Sequence, residues 1–250
     1  MPLCINMLNK TRGIVLRAVK YGESSLICTV FTELYGVQSY MVQGVRSTKS
    51  RTNRSGLLQP CSLLDMVVYQ RPQQNLQRIR EFQQAHIYTN LQEEVVKNSI
   101  GLFSVELLLR LLPEHATMAE LFDFAYEYFV ALDKMPIAEV ANFPVYFVIE
   151  CSRLLGYEIS GQFSEKTPYV NLQEGAFTDH PSAVPPYLSI DDAQILDRFL
   201  RIRSLETLKD IEVNASLRFR LLEWFIAFLH AHTQHLGNIR SLAVLQAILH

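Results

Sequence analysis

The sequence predicts an α+β protein: a five-stranded β-barrel at the N-terminus followed by an all-α helical domain. Two observations carry this reading. From residue 12 to residue 82 the apolar residues fall in short β-rich runs separated by turn signals, and after Glu81 they recur at helical period. The charge changes at the same boundary. Residues 1–80 hold eleven cations against three anions, a net of +8, while residues 81–250 hold twelve cations against twenty-two anions, a net of -10. The chain's overall charge of -2 hides a segment that attracts polyanions and a larger one that repels them.

The five candidate strands are RGIVLRAVKY, SLICTVFTE, VQSYMVQGV, LLDMVVYQR and NLQRIREFQ. Tyr21-Gly22, Tyr35-Gly36, a basic polar stretch and Arg71-Pro72 separate them, each a turn or loop signal. Five short strands in so few residues suit the five-stranded Greek-key barrel known as the OB-fold, a frequent solution for a basic nucleic-acid binder. Domain boundaries are therefore expected at 1–82 for the barrel and 83–250 for the helices.

Six segments then read as helices: QEEVVKNSIGLFSVELLLRLL, AELFDFAYEYFVALDK, IAEVANFPVYFVIECSRLLG, IDDAQILDRFLRIR, LRFRLLEWFIAFLHAH and SLAVLQAIL. The fifth is apolar nearly all round, which predicts a central helix. Ser189-Ile190-Asp191-Asp192 opens the fourth in the manner of a capping box, so its carboxylates read as helix caps. Residues 157–188 lose helical period and read as a small hairpin or extended insertion, with turn residues at Gly175 and Pro185-Pro186.

The composition excludes several classes. Hydrophobic residues make up 49% and charged residues 19%, the balance of an ordinary folded protein. No run of about 18 apolar residues is free of charge, and MPLCINM lacks the pattern of a secretory leader, so a cytoplasmic address is expected. Cys4, Cys28, Cys61 and Cys151 are in no paired spacing and read as reduced core thiols. No phosphate-loop, dinucleotide, zinc-protease or nucleophile-elbow motif is present, and no catalytic residue is assigned. His230, His232 and His235 do not converge on one helix face, so no metal site is expected from them.

The stretch GVRSTKSRTNRSGLLQP, Gly44 to Pro60, concentrates cations. Arg46, Lys49, Arg51 and Arg54 stand among hydroxyl and amide side chains with no carboxylate, a composition suited to a mobile loop that tracks phosphates. Arg12, Lys20, Arg71 and Arg78 extend this set on neighbouring segments. Tyr69, with Tyr21, Tyr35 and Tyr40, offers rings for unpaired bases. The expected DNA-binding set is thus Arg12, Lys20, Arg46, Lys49, Arg51, Arg54, Tyr69, Arg71 and Arg78.

Specific residues of the same segment resemble the RecO family of bacterial DNA repair proteins. The resemblance rests on Gly13-Ile14-Val15-Leu16-Arg17, Tyr21-Gly22-Glu23-Ser24, Phe31-Thr32-Glu33-Leu34-Tyr35-Gly36, Gly44-Val45-Arg46, Lys49-Ser50-Arg51 and Leu58-Gln59-Pro60, in that order. Leu154-Leu155-Gly156-Tyr157 and Leu236-Gly237-Asn238-Ile239-Arg240-Ser241-Leu242 add to it further on. It implies a non-enzymatic recombination mediator, an OB-fold followed by a helical domain, that binds single- and double-stranded DNA and anneals complementary strands. The implied partners are RecR, the single-stranded-DNA-binding protein through its C-terminal tail, and RecA, and the implied address is the cytoplasmic nucleoid.

One departure stands out. Many members of the family carry paired cysteines for zinc after the Leu-Gly-Tyr segment, and residues 157–188 here contain no cysteine. Neither structural zinc nor another cofactor is expected, with Phe163, Tyr169 and Phe177 forming a small apolar cluster in its place. A protein-interaction adaptor acting through its helices and an RNA-binding OB-fold protein are the alternative readings.

Overall fold

The computed structural model describes residues 7–45, 54–71, 74–234 and 236–249, without the side chains of Met7 and Arg54. They form two compact units, one containing the chain up to Thr89 together with Leu112–Val130, the other Asn90–Leu111 together with the rest from Ala131.

In the first unit β1 (Met7–Tyr21), β2 (Ser25–Thr32), β3 (Gly36–Val42), β4 (Leu63–Gln70) and β5 (Leu76–Gln84) close a barrel in the order β1-β2-β3-β5-β4. β3 and β5 run parallel and every other pair runs antiparallel, the topology of an OB-fold. The long β1 belongs to both halves of the barrel: its first part pairs with β4 and its second with β2, with a register shift between Val15 and Arg17. Such a bulge bends a strand and lets it turn a barrel corner. Val15, Cys28, Val30, Tyr40, Leu64, Met66 and Val68 fill the interior. Gly13 lies under this layer. A Cβ there would come within 2.7 Å of Val30 and 2.5 Å of Met66, so no larger residue fits without displacing the core.

Leu112–Val130 completes this unit. Its first residues run beside β3, where His115 N donates to Val37 O at 3.2 Å and Thr117 Oγ1 donates to Leu34 O at 3.1 Å. The crossing is close enough that a Cβ on Gly36, already in the left-handed region at φ 63°, would sit 2.0 Å from Ala116 O. Helix α2 (Ala119–Lys134) starts in this unit and packs Phe122 edge-on to Phe31 at 5.4 Å. The segment brings Glu114, Glu120, Asp123 and Glu127 to a unit whose strands are basic.

The second unit holds α1 (Val95–Leu111), α3 (Phe143–Leu154), α4 (Ile190–Arg201), α5 (Ala215–His232) and α6 (Ser241–Ile248). All six helices expected from periodicity are therefore present. In α5, Trp224 stacks on Phe228 with the rings 4° from parallel, and Leu221, Phe225 and Leu229 are buried beside them. Ser189 caps α4, its hydroxyl accepting from Asp192 N at 3.1 Å, and Arg220 grips the Asp192 carboxylate through both oxygens at 2.9 Å. The cap is therefore the Ser189 hydroxyl, while the Asp192 carboxylate, expected as a cap, is held by Arg220 of α5.

Between α3 and α4 the chain forms a hairpin, β6 (Tyr169–Asn171) and β7 (Ala176–Thr178). Phe177 is buried as expected, but Val170 and Leu172 are its buried companions, while Phe163 and Tyr169 are half-exposed. Backbone bonds from Ser160 N to Gly175 O and from Phe177 N to Ser160 O hold the excursion together.

Candidate nucleic-acid interface

The barrel's register sets out one continuous row of outward side chains. Val19 on β1 lies opposite Ile27 on β2, Ile27 opposite Met41 on β3, Met41 beside Arg78 on β5, Arg78 opposite Tyr69 on β4, and Tyr69 opposite Leu8 back on β1. The residues one step along each strand confirm the orientation: Cys28, Tyr40, Gln77 and Val68 are buried inside. A second outward row, two residues away, runs Arg17, Thr29, Ser39 and Leu76. Tyr21 and the Gly22 turn flank this face at one end of β3, and Arg71, Gln74 and Asn75 of the β4–β5 connection flank the other.

This surface mixes apolar patches with cations. Val19 and Tyr21 are exposed to 43% and 53%, too much for core residues of a barrel, and Ile27 and Met41 are half-buried. Among the described residues Arg17, Lys20 and Arg78 have no carboxylate within ion-pair distance. Arg71 is placed by Gln77, whose amide donates to Arg71 O at 2.8 Å and accepts from Arg71 N at 3.0 Å. Rings and aliphatic surface for bases beside uncompensated cations for phosphates are the two components that single-strand binding requires.

The expected residues divide into three groups. Tyr69, Arg71 and Arg78 surround this face, Lys20 is exposed beside it near the end of β1, opposite the buried Leu26, and Arg17, Ile27 and Met41 join them although sequence reading passed them over. Strand alternation was the available signal, since these three share the outward parity of Val19 and Arg78. Arg46, Lys49 and Arg51, and the side chain of Arg54, lie outside the described residues. Arg12 stands apart. It lies on the β4-paired part of β1, opposite Asp65, and donates to both Glu33 oxygens at 3.0 and 2.9 Å and to Asp123 Oδ1 at 2.6 Å. Its guanidinium also lies about 5 Å from the Phe122 and Tyr126 ring centres, at 5.2 and 5.1 Å. The hydrogen bonds it donates to Glu33 raise Arg12 further above its ordinary pKa, and the same bonds draw the Glu33 carboxyl below its own.

Tyr40 is likewise withdrawn from the surface. It is wholly buried in the barrel, so it packs the core and offers no ring to a base. Cys28 is also interior, and burial pushes its thiol up to about 11. Near the end of α5, His232 packs on Phe228 at 4.4 Å and donates through Nε2 to Leu172 O at 2.9 Å, while His230 is exposed and His235 lies outside the described residues. No helix among the described residues is long and apolar enough to cross a membrane.

Comparison with known proteins covers both units. Residues 7–88 match the family model Recombination protein O N terminal, and residues 92–243 match Recombination protein O C terminal. The DNA repair protein RecO of Bacteroides fragilis is 31% identical over 243 residues, 97% of this chain and 99% of that protein. Those of Christiangramia forsetii and Flavobacterium johnsoniae are 26% and 27% identical, over 97% and 96% of this chain and 99% and 98% of theirs. With both domain models matched in order, on an OB barrel followed by helices, the chain belongs to the RecO family of DNA repair proteins.

Proposed function

We propose that this protein is a non-enzymatic recombination mediator that binds single- and double-stranded DNA on the outer face of its barrel and anneals complementary strands. The observation that carries the reading is the row from Val19 to Tyr69 with Arg17, Lys20 and Arg78 on or beside it and, among the described residues, no carboxylate in ion-pair distance of these three, in a chain of the RecO family. Annealing requires two polyanions to approach. Arg17, Lys20, Arg71, Arg78 and the cations of residues 46–54 lower the repulsion, and exposed bases rest on Tyr21, Ile27, Met41 and Tyr69 until they find a complement. Arg12 serves instead to fasten Glu33 and Asp123 within the barrel unit. Changing Arg46, Lys49, Arg51 and Arg54 together to alanine tests the role of the basic stretch. Annealing of two complementary fluorescent oligonucleotides should slow by roughly ten-fold or more with the fold intact. An unchanged rate would turn attention to the helical unit and an adaptor role.

In this reading the protein acts with RecR to help load RecA on DNA coated by the single-stranded-DNA-binding protein, in the cytoplasm at the nucleoid. Arg218 supports capture of that protein's acidic tail by the helical unit. Burial pulls this guanidinium below its ordinary pKa. It donates to Asn142 Oδ1 and Val213 O and has no carboxylate partner among the described residues. Beside it Pro144, Phe219, Leu222 and Leu245 form an apolar slot. A labelled tail peptide should bind the wild type and lose at least ten-fold in affinity on Arg218→Ala, by anisotropy; equal binding would place the tail elsewhere. No zinc or other cofactor enters this account, the hairpin's hydrogen bonds holding the 157–188 excursion in place of a metal.

A further inference from the structure

The strand face just described ends at a cavity of different chemistry. At the end of the barrel bounded by the β2–β3 turn and the β4–β5 connection, a space of about 220 Å³ is lined by five side-chain amides, Gln38, Gln70, Gln74, Asn75 and Gln77, together with Tyr35. Arg71, His115 and Thr117 also line it, and among the described residues no carboxylate does. At about 30 Å³ per water this is room for roughly seven waters, or for one heteroaromatic ring. Side-chain amides pair a donor with an acceptor, as nucleobase edges do, and they read unpaired bases by hydrogen bonding to those edges.

Two of the amides are held in fixed orientation. Gln38, 3% exposed, directs Nε2 at Tyr35 O, 2.8 Å away, and at His115 Nδ1, 2.7 Å away. A carbonyl oxygen only accepts, so the atom facing it must be the amide nitrogen, and Oε1 is left as an acceptor. His115 is brought there by a residue geometry that costs backbone strain, φ 62°. Gln77 is committed to the loop, donating to Arg71 O and Gln74 O. Gln38 Oε1 and Gln70 Oε1 are both buried acceptors without a donor in the free protein. Buried acceptors of this kind are unfavourable until a donor arrives. Both oxygens are closed over as they stand; Gln38 is held by its two hydrogen bonds, while rotation about the broad terminal torsion of Gln70 turns its oxygen to the cavity.

Strand alternation connects the cavity to the outer face. Tyr69 and Arg78 point outward, and their neighbours Gln70 and Gln77 point inward, so the two surfaces meet over the rim at Arg71. We propose that this cavity takes one unpaired base of the bound strand, turned over the rim from the outer face, and that it favours a base carrying an exocyclic amino group. The acceptor turned to the cavity needs a donor: cytosine's amino group projects from the ring with two hydrogens, whereas thymine's one donor, its ring N–H, is flanked by two carbonyl oxygens. The site deepens the single-strand reading above and depends on it.

Photocrosslinking with oligo(dC) containing 5-iodocytosine locates the base, and affinity for oligo(dC) against oligo(dT) at fixed salt measures the choice. Adducts on Tyr35 or His115 are expected, with a preference for oligo(dC) of roughly five-fold, the worth of one regained hydrogen bond. That preference should vanish in Gln70→Leu and weaken in Gln74→Ala, whose exposed side chain carries no folding liability. Adducts confined to Tyr21 and Tyr69 with no base preference would overturn the pocket and leave strand binding on the face intact. Absence of both binding and adducts would remove the single-strand reading itself, and the pocket with it.

Discussion

At the residue scale, Arg12 shows how a side chain's role depends on what folding places beside it. In sequence it is one more cation on a basic strand, indistinguishable from Arg78. In the structure Glu33, 21 residues on, and Asp123, 111 residues on, both reach it, and two aromatic rings flank it. Such a distant partner leaves no trace in local pattern. Its side chain is 35% exposed, so the contact is screened and Arg12→Ala should cost about 1 kcal/mol in chemical denaturation. The cost depends on pH. Because Arg12 lowers the Glu33 pKa in the folded state, the stabilisation is full above the unfolded glutamate value of about 4.3. It fades as pH falls through the lower folded value. The stability gap between wild type and variant should therefore narrow in acid and stay constant from about pH 5 to 8; a gap that widened in acid would contradict the ion pair. Tyr40 was more legible. Its alternation with Ser39 and Met41 puts it on the inner face with Val42, but the polar Gln38 on the same face obscures that pattern.

At the element scale, the strands were legible because a barrel with one filled side imposes period two, and the helices because each buries a stripe. What the helical pattern does not encode is the partner of the stripe. Nothing local in AELFDFAYEYF distinguishes packing on a strand face from packing in a helical unit, yet Phe122 meets Phe31. Helix α6 is another case, since its N-terminus is held from another helix. Glu106 of α1 accepts from Arg240 N at 3.0 Å and from Ser241 N at 2.8 Å, and it also accepts from the Ser241 hydroxyl. Burial alone would raise the Glu106 pKa, but these donors outweigh it and hold the carboxyl below its ordinary value. The Arg240-Ser241 pair of the closing sequence thus has a structural role, supplying the donors that tie α6 to α1. Replacing Glu106 with alanine leaves those amides without an acceptor, and a lost cap costs about 1 kcal/mol. Amide exchange across residues 241–248 should speed by roughly five-fold with the barrel unaffected; unchanged exchange there would deny Glu106 this role.

At the scale of the whole molecule, the charge division read from sequence is coarser than the structural one. The basic N-terminal segment folds with Leu112–Val130, which adds four carboxylates and no lysine or arginine to the same unit. Arg12 takes up one of these carboxylates, and the unpaired cations stay with the outer face of β2, β3 and their neighbours. Net charge along the chain does not reveal that Arg12 meets one of these carboxylates while Arg17, Lys20 and Arg78 have none within ion-pair distance among the described residues.

The most direct measurement is the salt dependence of single-stranded DNA binding for the wild type against the Arg17→Ala, Lys20→Ala, Arg78→Ala triple variant. Each phosphate contact contributes about 0.7 to the log-log slope, so losing three should reduce it by roughly 2 with the barrel still folded. A slope unchanged by the three substitutions would contradict a DNA path across this face.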